Sequence, residues 1–263
     1  MRKIIIQSLV LVLLFWGAYK LLERINWIKI LHIEAISKYS EEKLGELMWQ
    51  SILNQHEISY DNTLNNAVDS LFRAICRAND LPAEDYKIHV VRNEEANAFA
   101  LPGRYILIYT GLIAKTESAA ELSGVIAHEL AHINLNHIEQ KLMREIGLGM
   151  LIGMTTGNSE PGMIQNAIQL LASTAFDRDS EKQADITAVS YMQQAQQNPE
   201  HFARILLRIS KENPGIKLSW ISTHPESIKR ATYIRNHIAH NDKKYVELYD
   251  TEMWKEILMV AGK

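Results

Sequence analysis

His128-Glu129-Leu130-Ala131-His132 places two imidazoles and a carboxylate within five residues. On a helix, residues four apart share a face, so His128 and His132 can hold one Zn²⁺ between them. Glu129 stands next to the first ligand. From there its carboxylate can reach a zinc-bound water and act as general base when that water attacks a peptide carbonyl. The neighbours Gly124, Val125, Ile126, Ala127, Leu130 and Ala131 are small or apolar, so the histidines belong to a buried helix. Two imidazoles and a carboxylate buried without a metal would be costly, which weighs against a pair of core histidines.

Two protein ligands are too few, and the third must come from elsewhere. A metzincin would need glycine at Leu135 and histidine at Ile138, so that subclass is rejected. A gluzincin takes a glutamate from a downstream helix, and the candidates are Glu139, Glu145, Glu160 and Glu181. Glu139 and Glu145 lie on or just past the same helix and cannot easily fold back onto the metal. Glu160 sits in a turn. Glu181 lies on a later helix with Asp185 one turn on and on the same face. Glu181 then completes the ligand set, and Asp185 accepts a ring N–H from a ligand histidine and fixes its tautomer. Taken alone, this pair beside Lys182 would read as a solvated charged face. The unmet coordination of the histidine helix reverses that reading.

These residues need helices to hold them, and the pattern supplies them. Helices are expected over residues 33–56, 63–79, 117–136, 163–194, 200–211 and 226–240. Between the second and third the period changes. Residues 87–91, 98–101 and 104–109 read as three short strands, closed by Pro102-Gly103 and Thr110-Gly111, and form a small antiparallel sheet. Residues 146–154 are apolar but too short to span a bilayer. Residues 241–263 read as strand or loop and then a short helix around Met253. The fold class is therefore α+β and mainly α.

With 263 residues, 47% hydrophobic and 22% charged, the composition excludes wholesale disorder and fibrous classes. A net charge of −3 gives no basic surplus for nucleic acid, so no nucleic-acid partner is expected. The lone Cys76 excludes a disulfide scaffold and a thiolate zinc finger. Ten histidines against that one cysteine favour imidazole and carboxylate ligands.

An apolar run from Ile4 to Leu22 is broken by little more than Gln7, Ser8 and Lys20. As a helix it would reach about 28 Å, close to the thickness of a hydrocarbon core. Trp16, Tyr19 and Trp27 suit the interface. Phe15-Trp16-Gly17-Ala18 makes a poor cleavage site, so a retained anchor over residues 1–24 is expected rather than a signal peptide. A catalytic domain would follow over residues 33–240 and a tail over 241–263. Arg2 and Lys3 favour an inside amino terminus and an extracytoplasmic domain, on the periplasmic side in a bacterium.

Four ordered segments resemble peptidase family M48, the membrane-associated gluzincin metalloproteases. They are Asn97-Ala98-Phe99-Ala100-Leu101-Pro102-Gly103; the run from Glu121 to His132 with His137 after it; Arg178 to Asp185, which contains the ExxxD pattern; and Ser222-Thr223-His224-Pro225 with Arg230. The resemblance spans roughly residues 40–237. It implies a mainly helical zincin domain with a small sheet and one Zn²⁺ per chain. It also implies zinc-dependent endopeptidase activity on protein or peptide substrates. His128, His132 and Glu181 take the role of metal ligands and Glu129 that of catalyst. The chain has a single expected span, unlike the prenyl-protein proteases and HtpX-like members. It looks more like the single-anchor or periplasmic members that act in envelope protein quality control.

Three further expectations concern substrate. The short strand around Asn97, Ala98, Phe99 and Ala100 is a natural edge where an extended peptide can add by main-chain pairing. His224, on a loop stiffened by Pro225, is expected to donate to the oxyanion, with Arg230 holding a substrate carbonyl or carboxylate. The same histidine could instead ligate zinc in a resting enzyme. His137 is expected to be a solvated or helix-end histidine, ahead of a role at the metal. The reading is thus a membrane-anchored zinc endopeptidase acting on unfolded or misassembled proteins. A non-proteolytic zinc-containing chaperone or assembly factor is the alternative, but it has no need of Glu129. A helical membrane adaptor with a chance metal pattern is the third possibility.

Overall fold

A computed structural model describes Trp16 and residues 33–158, 160, 162–211, 219–238 and 244–262. The chain divides into two compact units, Met1–Ser40 and Glu41–Lys263. The anchor expected over residues 1–24 lies, Trp16 apart, outside the described residues. Among the described residues no helix is long and apolar enough to cross a membrane.

Helix α1 (Ile33–Gln55) enters the second unit and leads through β1 (Glu57–Ile58) to α2 (Asn62–Ala78). Asp61 caps α2 by accepting from the amides of Thr63 and Leu64. The helix buries Leu64, Ala67, Val68, Leu71, Phe72, Ile75 and Cys76, the stripe that its 3.6-residue period dictates. Strands β2 (Lys87–Arg92), β3 (Ala98–Leu101) and β4 (Tyr105–Tyr109) follow.

The sheet is mixed, not antiparallel. Its order is β1-β2-β4-β3, with β2 and β4 parallel and the outer pairs antiparallel. Of the three strands expected to pair antiparallel, only β3 and β4 do so, as a hairpin. Gly103 and Arg104 both take positive φ in that turn, at 70° and 61°, which matches the twist of a tight hairpin. The hairpin swings β4 inward against β2 and leaves β3 on the edge. Strands β3 and β4 are buried along their whole length, which explains why Ala-Phe-Ala-Leu and Tyr-Ile-Leu-Ile-Tyr show no alternation.

Helix α3 (Thr110–Ala114) turns the chain into α4 (Ala119–Asn134), which carries both histidines of the pentapeptide. Ser118 caps α4, and Glu121 accepts from the Glu117 amide at 2.7 Å. Arg208, on α9 (Glu200–Lys211), clamps Glu121 and the Lys115 carbonyl, so the start of α4 is fixed from outside as well. Every residue from Glu121 to Ile133 is buried.

Gly124 lets α9 come close. A Cβ there would meet the Phe202 Cβ at 2.5 Å, and the Phe202 ring also lies against His128. Gly124→Ala should cost about 1–3 kcal/mol through overpacking. The urea midpoint checks this, and a wild-type midpoint would contradict the tight approach.

Next come α5 (His137–Glu145), α6 (Leu148–Thr156), α7 (Met163–Ser173) and α8 (Arg178–Gln194). The single helix expected over residues 163–194 is two helices. Thr174 is extended, the Phe176 amide donates to the Thr223 carbonyl at 3.0 Å, and Asp177 caps α8 through the Ser180 amide. No proline or glycine marks this break; the cap residue Asp177 was its one local signal. After α9 come α10 (Ser219–Thr223), α11 (Ser227–His237) and α12 (Thr251–Ala261), the last agreeing with the helix expected around Met253. Helices α8 and α9 pack on α4, and α11 packs on both. This brings Glu181, Asp185, His224 and Arg230 to the face of α4 that carries the histidines.

Candidate metal centre

His128, His132, Glu181 and His224 each offer one ligand atom, and these atoms lie within 4.8 Å of one another, all buried. His128 Nε2 is 3.0 Å from His132 Nε2 and 3.1 Å from His224 Nδ1. Glu181 Oε1 is 2.8 Å from His224 Nδ1 and 3.3 Å from His132 Nε2. A tetrahedral Zn²⁺ with ligands at ~2.0–2.1 Å spaces them about 3.3 Å apart, so the cluster has the right size.

The donor chemistry fits too. His128 Nδ1 lies 2.9 Å from Asp185 Oδ1, which puts the ring proton on Nδ1 and leaves Nε2 as a lone pair facing two other ring nitrogens. Glu129, Glu181 and Asp185 bury three carboxyl groups around the ligand atoms, with the buried cationic side chains of Arg230 and Lys141 beside them.

Arg230 was expected to face substrate. It is placed behind the ligands instead. It is 2% exposed, 2.6 Å from Glu181 Oε2 and 2.7 Å from Asp185 Oδ1, and it donates to the His224 carbonyl at 2.9 Å. Tyr233, on α11, also donates to Asp185.

The ionisation of these groups follows from that packing. Burial works to raise Asp185, but Arg230 and the His128 bond outweigh it and hold the carboxyl at about 2. Glu181 likewise lies well below the usual range, because Arg230 and His224 overcome its burial. Burial opposes charge on Arg230, yet its two carboxylates raise it above its ordinary value. Burial lowers His128 to about 3 and also lowers His224. For Glu129 burial outweighs its stabilising neighbours, Trp220 and Arg230 among them, and raises its carboxyl to about 7.

Glu129 Oε1 accepts from the Trp220 indole at 3.0 Å and lies 3.4 Å from His224 Nε2. Trp220 was not singled out in the sequence. It also donates its backbone amide to the Ala96 carbonyl at 3.2 Å. The next carbonyl, that of Asn97, pairs inward with the Tyr109 amide, so Ala96 presents the outer edge of the sheet. Asn97 donates its side-chain amide to the Ala172 carbonyl at the end of α7. Ala98, Phe99 and Ala100 are buried, with α7 packed on β3. The strand expected to take substrate thus has this chain's own α7 packed on it, and α10 holds the Ala96 carbonyl just before it.

His137 does stand at a helix end, as the first residue of α5, but it is not solvated: it is 3% exposed, and its Nδ1 lies 3.1 Å from His132 Nδ1. Burial and the neighbouring His132 lower it to about 4. Lys141, one turn further along α5, is also buried and donates to the Thr174 carbonyl at 2.5 Å. Phe176 lines the cluster, with its ring centroid 4.2 Å from that of His132.

Two histidines four apart on a buried helix, a glutamate between them and a glutamate from a downstream helix are the arrangement of a gluzincin-class metal centre. The comparisons with known proteins agree with that class. The sequence model of Peptidase family M48 matches residues 62–238, and the chain belongs to that family. It is 22% identical over 191 residues to Mitochondrial metalloendopeptidase OMA1 of Arabidopsis thaliana, covering 73% of this chain and 39% of that protein. It is 26% identical to a Putative beta-barrel assembly-enhancing protease of Vibrio cholerae, covering 72% of this chain and 42% of that one. It is 25% identical to Metalloprotease LoiP of Escherichia coli, covering 59% and 63%. The chain therefore spans less than two thirds of the length of each of these relatives.

Proposed function

We propose that the chain is a zinc-dependent metalloendopeptidase held at a membrane by its amino-terminal segment, with its catalytic domain outside the cytoplasm. Its substrates are unfolded or misassembled proteins. The observation that carries the reading is the buried cluster of His128, His132 and Glu181 with Glu129 beside it. Family membership and the metallopeptidase names of the relatives support it. The apolar run from Ile4 to Leu22 supports the anchor.

His128, His132 and Glu181 would hold the metal. Bound there, zinc would supply Lewis acidity to a scissile carbonyl and lower the pKa of water. Glu129 takes the proton of the attacking water and returns it to the leaving amine. Asp185 keeps the proton of His128 on Nδ1, and Arg230 holds both Glu181 and Asp185 in place. The outer edge of β3, with the Ala96 carbonyl just before it, takes an extended substrate strand once α7 and α10 withdraw. Dependence on an extended main chain explains a preference for unfolded proteins.

His224 belongs with the ligands in this state. Its Nδ1 is 2.8 Å from Glu181 Oε1 and 3.1 Å from His128 Nε2, inside the cluster and not across from it. It acts as a latch: with Trp220 on Glu129 it fills the place that substrate and water need. A site open in only ~1–10% of molecules gains about 10–100-fold when the closed state is removed. His224→Ala should therefore raise the basal cleavage rate of an unfolded protein such as reduced casein by that order. An oxyanion role requires the reverse, a fall in kcat with zinc content unchanged.

A further inference from the structure

Asn136 breaks the histidine helix with a left-handed residue, φ 57°, and α5 starts at once with His137. The reversal folds the His137 ring back onto His132, with ring centroids 5.0 Å apart at 70°. Their Nδ1 atoms are 3.1 Å apart in a buried setting, so one proton lies between them. Its position decides whether His132 can be a ligand. With the proton on His137, the His132 Nδ1 accepts, its own proton moves to Nε2, and no lone pair faces the cluster. With the proton on His132 Nδ1, its Nε2 is free for the metal and His137 Nδ1 accepts. His137 must then carry its own proton on Nε2, and the Gln183 side chain of α8 is a hydrogen-bond partner of its ring.

We propose that His137 is the positioning residue for His132, accepting its Nδ1 proton and so turning its Nε2 lone pair into the metal site. The two histidine ligands are then fixed by different chemistry. His128 leans on a carboxylate that Arg230 keeps charged, and His132 leans on a neutral imidazole. This rests on the metal-site reading above.

The test is zinc affinity of the full chain, measured by competition with a chromophoric chelator, beside the melting temperature of the metal-free protein. His137→Leu should weaken zinc binding by about 10–100-fold, as loss of a partner behind a ligand histidine does. His137→Asn, whose amide oxygen can accept from His132, should bind close to wild type. Wild-type affinity in His137→Leu overturns the proposal, and so does an equal loss in both variants, which marks packing alone. If His137→Leu does not fold, the imidazole ¹⁵N spectrum of the zinc-loaded wild type decides. The proton is expected on Nδ1 of His132 and on Nε2 of His137; a proton on Nδ1 of His137 overturns it. Wild-type protein that takes up no zinc would remove the metal reading as well. Zinc binding that survives His137→Leu and fails in His132→Ala removes only this inference.

Discussion

Glu129→Gln should keep its zinc and lose peptide hydrolysis by roughly 10²–10⁴-fold, the usual worth of a positioned general base. The substitution is nearly isosteric and removes none of the atoms that could ligate metal. The amide can still accept from the Trp220 indole, which now donates to Glu129 Oε1 at 3.0 Å. Packing around a side chain that is 1% exposed is therefore kept. What is lost is the ability to take a proton from water. Zinc content by elemental analysis and cleavage of reduced casein, measured on the same preparation, separate the two effects. Proteolysis near the wild-type rate would remove Glu129 from the mechanism. Loss of zinc together with activity would place it among the ligands.

Arg230→Ala should cost about 3–5 kcal/mol of folding stability, because it leaves buried carboxylates without their counter-charge. Glu181 is 2% exposed and Asp185 is fully buried, and both lean on this guanidinium. Arg230 also ties the His224 carbonyl to the same cluster at 2.9 Å. Arg230→Lys should recover part of the loss: it restores the charge, but a single ammonium cannot reach Glu181, Asp185 and the His224 carbonyl as the planar fork does. Denaturant midpoints of the metal-free variants measure this. A loss under ~1 kcal/mol would mean that the carboxylates are solvated in solution and that the cluster is open.

The pentapeptide on α4 was legible because helical spacing alone puts His128 and His132 on one face, and the apolar neighbours announce burial. The place of Glu181 beside the histidines was legible because Asp185 repeats it one turn later and an unmet coordination need selected that pair. The contacts around the cluster that sequence missed depend on chain reversals. His137 stands five residues past His132, off the helical face that four-residue spacing defines, and reaches it only because Asn136 turns left-handed. Trp220 lies on a five-residue helix with no periodicity to read, and its role comes from reaching Ala96 and Glu129, both about a hundred residues away. The mixed sheet was hidden for a related reason. Local turn signals specify the β3–β4 hairpin but not that β4 enters beside β2 in parallel. His224 was found from its loop. Its position among the ligand atoms depends on how α10 settles on α7 and α11 on α8 and α9, which is a property of packing.

Hydrolysis of reduced casein by the His224→Ala chain is to be measured as purified, after zinc is removed with a chelator, and after zinc is restored. Cleavage, loss of cleavage and recovery are expected in that order. Cleavage that survives complete removal of the metal, or no cleavage in any of the three states, would contradict a zinc-dependent endopeptidase.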